Sequence, residues 1–263
     1  MRQHIAQIDA FTDIPFAGNP AGVCLLKKEA DESWMRHIAS EMNLSETAFL
    51  VQRGDIFQLR WFTPAVEVKL CGHATLASAH YLWEEDIVPP DATIQFETLS
   101  GSLYARKNGE WIELDFPAKN VSPAPAPEGL LEALGVKANF IGLNVMDYLV
   151  EVESEQIVRT LKPNLSLIAT LPVRGVIVTA KASGSEFDFV SRFFAPAAGV
   201  PEDPVTGSAH CALGPYWESK LNKKSFTAYQ ASARGGVMKV RTEGDRVILG
   251  GKALTILRCE LMV

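Results

Sequence analysis

Two short segments of this chain open a helix with glycine followed by a side chain capable of chemistry: Gly72-His73-Ala74 and Gly207-Ser208-Ala209. The first N–H groups of a helix lack intrahelical partners and carry the positive end of its dipole. Each segment can therefore hold a carboxylate or stabilise a developing oxyanion. One such glycine is explained by relief of crowding alone; a pair in corresponding places points to a site. His73 is the first side chain after its glycine and is read as a substrate-binding residue. Glu46, in Asn43-Leu44-Ser45-Glu46-Thr47-Ala48-Phe49, falls where a helix gives way to a strand, between the hydroxyls of Ser45 and Thr47. Partial burial there would raise its pKa towards the range useful for proton transfer, although an exposed turn glutamate fits the same residues. Asp203 precedes Gly207 by four positions. It is placed to accept a hydrogen bond from a substrate amine or hydroxyl, with a surface loop acid as the alternative.

The elements that must carry these residues occur twice. Arg60-Trp61-Phe62-Thr63-Pro64-Ala65 parallels Arg192-Phe193-Phe194-Ala195-Pro196-Ala197, and each is followed by a polar loop and a glycine that opens an apolar helix. The offset is 132 residues from Pro64 to Pro196 and 135 from Gly72 to Gly207, so the second loop is three residues longer. Identity of motif and of helix position together indicate duplication. Apolar runs predict strands at 3–11, 22–27, 47–53, 56–63, 92–98, 102–107 and 111–115 in the first half. In the second they predict strands near 139–143, 147–152, 174–180, 187–194, 225–231, 237–242 and 253–262. Trp34, Ile38 and Met42 recur on one face of a helix, and shorter helices are expected near 128–135 and 154–161. A helix apolar nearly all round is buried. The expected class is therefore α+β, with two pseudo-symmetric domains, each a curved mixed β-sheet wrapped around a central helix. Pro117 to Gly129 holds four prolines in thirteen residues, a density that interrupts helix and sheet. The domains are accordingly drawn as 1–117 and 130–263, joined by a linker at 118–129. If the halves face each other, both glycine helix starts point into one cleft.

Composition excludes several classes. A net charge of −6 and the absence of a basic run give no footprint for nucleic acid or an anionic membrane. No segment approaches the ~20 apolar residues of a membrane helix. Asp9 and Asp13 interrupt the stretch where a signal peptide would be apolar, so a cytoplasmic location is expected. Cys24, Cys71, Cys211 and Cys259 lie far apart, and His4, His37, His80 and His210 show no metal-ligand pattern; His80 is read as structural. Gly18-Asn19-Pro20-Ala21-Gly22 lacks the lysine of a phosphate loop, and Ser208 lies outside a nucleophile elbow. The expectation is chemistry with no metal and no cofactor.

These residues resemble the phenazine biosynthesis-like (PhzF-like) isomerases of the diaminopimelate epimerase superfamily. The matching segments are Asp9-Ala10-Phe11-Thr12, Phe16 to Val23, Asn43 to Phe49, Arg60 to Pro64, Cys71 to Thr75, Glu202 to Ala209 and Gln230 to Gly236. They run nearly end to end in the family's order. The resemblance implies the diaminopimelate epimerase-like fold, a site in the cleft and a homodimer. It also implies a catalytic glutamate at Glu46, with His73, Asp203 and Ser208 as its partners. Gly72, Gly207, Ser45, Ala74 and Ala209 complete the expected substrate-binding set. The superfamily's racemases oppose two cysteines, one before each helix glycine; here the positions hold Cys71 and Thr206. A threonine hydroxyl is too weak an acid to replace a thiol, so two-thiol racemisation is not expected, and Cys71 is read as a packing residue, with a one-thiol reaction as the alternative.

The leading reading is a cofactor-independent isomerase of a small carboxylated, cyclic or acyclic, substrate. An amino-acid epimerase or dehydratase and a non-catalytic binding protein stand as alternatives.

Overall fold

The structure, a computed structural model, describes residues 3–262. These divide into two compact units, one built from residues up to Asp115 together with those from Gly250, the other from Phe116–Leu249.

In the first unit, strand Gln3–Ala10 lies antiparallel to Asn19–Leu26 on one side and to Ala253–Leu261 on the other. Helix Glu32–Met42 carries the crossover that makes Glu46–Arg53 parallel to Asn19–Leu26, with Ala21 opposite Glu46. Asp31 caps that helix by accepting the Ser33 N–H at 2.8 Å, and Asn43 ends it in the left-handed conformation, φ 50°. The sheet continues through Ile56–Phe62, Ile94–Thr98, Gly101–Asn108 and the strand from Trp111. Helix Gly72–Glu84 packs on the strands that begin at Gln3, Asn19, Glu46 and Ala253. Ala74, Leu76, Ala77, Ala79 and Leu82 are fully buried, so this helix is enclosed over most of its surface, as its composition requires, and reaches solvent mainly near its C-terminal end, at His80, Tyr81 and Glu84.

The second unit repeats the plan. Phe140–Leu143, Asp147–Glu151, Gly175–Lys181 and Phe189–Ala195 pair in sequence, the middle pair parallel. Ser225–Gln230 and Gly236–Glu243 extend the sheet. The central helix is Gly207–Leu221. Trp217 stacks on Phe189 at 5.6 Å and donates its indole N–H to Thr179 Oγ1 at 3.1 Å, so this large apolar ring is buried with its one polar atom satisfied.

The duplication extends to contacts not visible in the motif. Arg60 grips both carboxylate oxygens of Glu67 at 2.7 Å, with its guanidinium 5.1 Å from the Phe62 ring centre. Arg192 grips both oxygens of Glu202 at 2.6 and 2.8 Å, and lies 4.9 Å from the Phe194 ring centre. Each fork ties a long strand to the short strand returning towards the central helix, Glu67–Val68 in one unit and Val200–Asp203 in the other.

Two boundaries differ from the sequence expectation. The final strand belongs to the first unit rather than to a half running from 130 to 263, because Ala253–Leu261 supplies ladder partners to Gln3–Ala10. The proline-rich stretch is not a free linker. Ser122–Pro123 pairs with Phe140–Leu143, and Ala124 N–H bonds Ile141 O at 3.1 Å. Pro215, inside the second central helix, has no N–H to give to Cys211 O four residues back. Lys119 N–H fills that vacancy at 2.9 Å. The strands Val200–Asp203 and Arg246–Gly251 were not anticipated.

Candidate active site

Glu46 begins its strand immediately after the turn that ends helix Glu32–Met42, and Asn19 begins the neighbouring parallel strand. The Gly72 helix starts beside both. Cys71 is its N-cap residue in extended conformation, without a side-chain cap bond. The N–H groups of Gly72, His73 and Ala74 precede the first intrahelical bond, from Thr75 N–H to Cys71 O, and so form the open first turn.

His73 Nε2 lies 3.3 Å from Glu46 Oε2. On the other side of the ring, Nδ1 is 3.3 Å from Asn19 Nδ2 and 3.5 Å from Cys71 Sγ. The imidazole is buried, and loss of hydration pushes its pKa down to about 3. The contact with Glu46 is therefore between a carboxylate and a neutral ring, not an ion pair. An Asn19 amide N–H can only donate, which makes Nδ1 the acceptor and places the ring proton on Nε2, facing Glu46. Nε2 is sealed from solvent and makes no aligned hydrogen bond. A buried donor left in this state is costly and is commonly completed when a ligand binds. The Glu46 side chain keeps 16% of its surface exposed.

Glu46, Cys71 and His73 bring three metal-capable side chains within 4.8 Å of one another, a cluster that sequence spacing did not show. The thiol and the carboxylate approach opposite nitrogens of one ring. A single ion cannot use both lone-pair directions, so the arrangement does not fit a three-ligand metal centre.

In the second unit the Gly207 helix opens with Thr206 as N-cap. Thr206 Oγ1 donates to Asp203 Oδ2 at 2.6 Å, and Gln230 braces the turn by accepting from Thr206 N–H at 2.9 Å and donating to Asp203 O at 2.7 Å. Ser208 Oγ accepts from Arg174 Nη2 at 3.0 Å, which leaves its own O–H available to donate. Arg174 is held by Asp147, which is fully buried, through both carboxylate oxygens. His210 Nδ1 donates to Thr206 O at 2.8 Å, and burial pushes its pKa down to about 4.

With this geometry in place, residues 8–258 match the family described as phenazine biosynthesis-like protein. The chain belongs to this family. An uncharacterised isomerase of Halalkalibacterium halodurans is 55% identical over 264 residues, covering 100% of both chains. The crystal structure of a PhzF-family phenazine biosynthesis protein from Enterococcus faecalis superposes with a TM-score of 0.96, at 41% identity and 100% coverage of both. A hydroxyproline epimerase from Agrobacterium vitis, 10% identical, shares the fold at a TM-score of 0.65 over 99% of this chain and 91% of its own. The α+β, diaminopimelate epimerase-like class expected from the sequence is the one found.

Within this phenazine biosynthesis-like chain, the structure brings Glu46, His73, Gly72 and Ala74 together at one helix start, with Ser45 half-buried alongside. It brings Asp203, Gly207, Ser208 and Ala209 together at the other. Ala74 and Ala209 are buried and offer only backbone N–H groups. Asn19, Gln230, Arg174 and Asp147 were not assigned site roles from the sequence. Asn19 and Gln230 stand in the matched segments, whereas nothing local distinguishes Arg174 or Asp147. No helix among the described residues is long and apolar enough to cross a membrane.

Proposed function

We propose that this protein is a cofactor-independent isomerase that moves a proton within a small carboxylated substrate, with Glu46 as the acid/base. The observation that carries the reading is the Glu46–His73–Asn19 array: a carboxylate beside a neutral imidazole whose Nε2–H is buried and without an aligned partner. Glu46 takes a proton from a substrate carbon as the C–H electron pair moves into an adjoining π-system, and then returns a proton, exchangeable with solvent at the partly exposed carboxyl group, to the shifted double bond at a second carbon. Composition is unchanged, and no oxidant or reductant is needed. His73, neutral across the physiological range, donates a hydrogen bond through Nε2 and does not exchange the proton itself. First-turn N–H groups at Gly72 serve as binding groups for the substrate's carboxylate; within the second unit, the first-turn N–H groups at Gly207, with the Ser208 hydroxyl and Asp203, offer a set of the same kind. Relatives named as isomerases support the reaction class. The protein is further proposed to act as a homodimer, which sedimentation measures directly.

An epimerase using a single thiol is the second reading, favoured by Cys71 Sγ at 3.5 Å from His73 Nδ1. A screen of carboxylated metabolites for solvent deuterium incorporation separates the two. Label entry abolished by Glu46→Gln and retained in Cys71→Ser supports the glutamate; the reverse result replaces it with the thiol.

A further inference from the structure

The second unit contains an open pocket of about 460 Å³ that the proposed reaction does not use. Its walls are apolar, from Val145, Met146, Pro172 and Val173, and two polar residues, Asn144 and Arg174, line it as well. Asn144 Oδ1 accepts both the Met146 N–H at 2.7 Å and the Asp147 N–H at 2.9 Å. Those two donors fix which end of the amide is oxygen, so the other end is a donor. That Nδ2 is buried, in a residue only 7% exposed, and has no partner. Arg174 spends Nε and Nη2 on Asp147 and Ser208, and Nη1 has no hydrogen-bond partner among the described residues. Lys119 reaches the same wall, where its ammonium meets only the Met146 thioether at 3.2 Å, a weak acceptor. Asp147, the one carboxylate acting on Lys119, is already paired with Arg174. Burial, followed by repulsion from Arg174, lowers the Lys119 pKa.

Spare donors, excess positive charge and apolar walls specify an occupant. We propose that this pocket binds a small carboxylate with an apolar body, its carboxylate bridging Arg174 Nη1 and Asn144 Nδ2 near Lys119, its body against Val145, Pro172 and Val173. Nδ2 is sealed from solvent, so the ligand reaches it through a shift of the short turn that carries Val145, itself 90% exposed. Occupancy is transmitted to Ser208 by the Arg174 hydrogen bond, which links the pocket to the start of the Gly207 helix.

Butyrate, with butanol as its neutral counterpart, is the probe, titrated into isotope-labelled protein and followed by NMR. Saturable shifts at the Asn144 side-chain amide and Arg174 Nε with butyrate and not with butanol are expected. Val145→Trp, a change at an exposed position that fills the pocket mouth, should weaken binding about tenfold or more. Arg174→Gln combined with Asp147→Asn should do the same, since losing a charge-assisted bond has an effect of that order. Affinity in Glu46→Gln should equal that of the unaltered protein, which separates this pocket from the proposed proton-transfer site. Absence of saturable shifts, equal response to butanol, affinity unchanged by Val145→Trp, or shifts confined to Gly72 and His73 would each overturn the proposal.

Discussion

His73 presents Nε2 to Glu46 Oε2 at 3.3 Å while Asn19 holds the opposite ring nitrogen, so a buried, uncharged imidazole is oriented by an amide and aimed at a carboxylate. The division of labour follows from burial. In the proposed reaction the neutral histidine serves as a fixed donor, and the partly exposed carboxylate beside it exchanges the proton.

Replacement of Glu46 by glutamine should lower turnover by ~10²–10⁴-fold, the usual contribution of a placed acid/base. Ligand affinity should change little, because the amide keeps the shape and the neighbouring His73 ring. Steady-state kinetics with calorimetric binding test this; full turnover in the variant would remove Glu46 from the mechanism.

The ring proton of His73 should reside on Nε2. Nitrogen-15 NMR of the imidazole distinguishes the tautomers, and Asn19→Asp provides the perturbation. A carboxylate at that position accepts from Nδ1–H, so the tautomer reverses and Nε2 turns a lone pair towards Glu46. Activity should fall by at least about tenfold, the cost of one hydrogen bond to a charged group. A protonated Nδ1 in the unaltered protein would contradict the assignment.

Stability should decline as pH falls below neutrality. His73 and His210 titrate at about 3 and about 4 in the folded protein because burial disfavours their charged forms, against about 6.5 when unfolded. Between those values the unfolded chain binds more protons, so unfolding free energy rises with pH. The contribution is complete above about 6.5 and is lost as pH drops towards 4, by up to about 1.4 kcal/mol per pH unit for each ring. Urea unfolding from pH 7.5 to 4.5 measures the slope, and His210→Gln should flatten it by about half. A flat profile in the unaltered protein would rule out two buried neutral histidines.

Gly18 should tolerate no side chain. Its φ is +68°, and a Cβ there would sit 2.3 Å from the carbonyl oxygen of Ala10, a backbone atom that cannot turn aside. Gly18→Ala is expected to cost more than about 1 kcal/mol. It should also depress activity, because the next residue is Asn19. Melting temperature and turnover unchanged in this variant would refute the link.

Much of the framework was legible in the chain itself. The paired Arg-x-Phe-x-Pro-Ala strands and glycine-opened helices are local patterns, set by periodicity and by the backbone demands of a helix start, so duplication, the α+β class and the positions of Glu46 and His73 could be read from residue order. Tertiary structure decided the rest, because it depends on partners distant in sequence. Asn19 reads as a failed phosphate loop until the parallel register of Asn19–Leu26 and Glu46–Arg53 sets it beside His73. The last strand reads as part of the second half until its ladder with Gln3–Ala10 assigns it to the first unit. Arg174 and Asp147 lie 34 and 61 positions from Ser208, and no local pattern marks them. Burial, likewise, belongs to the fold: the sequence shows a histidine after a glycine, and only packing makes it a neutral one.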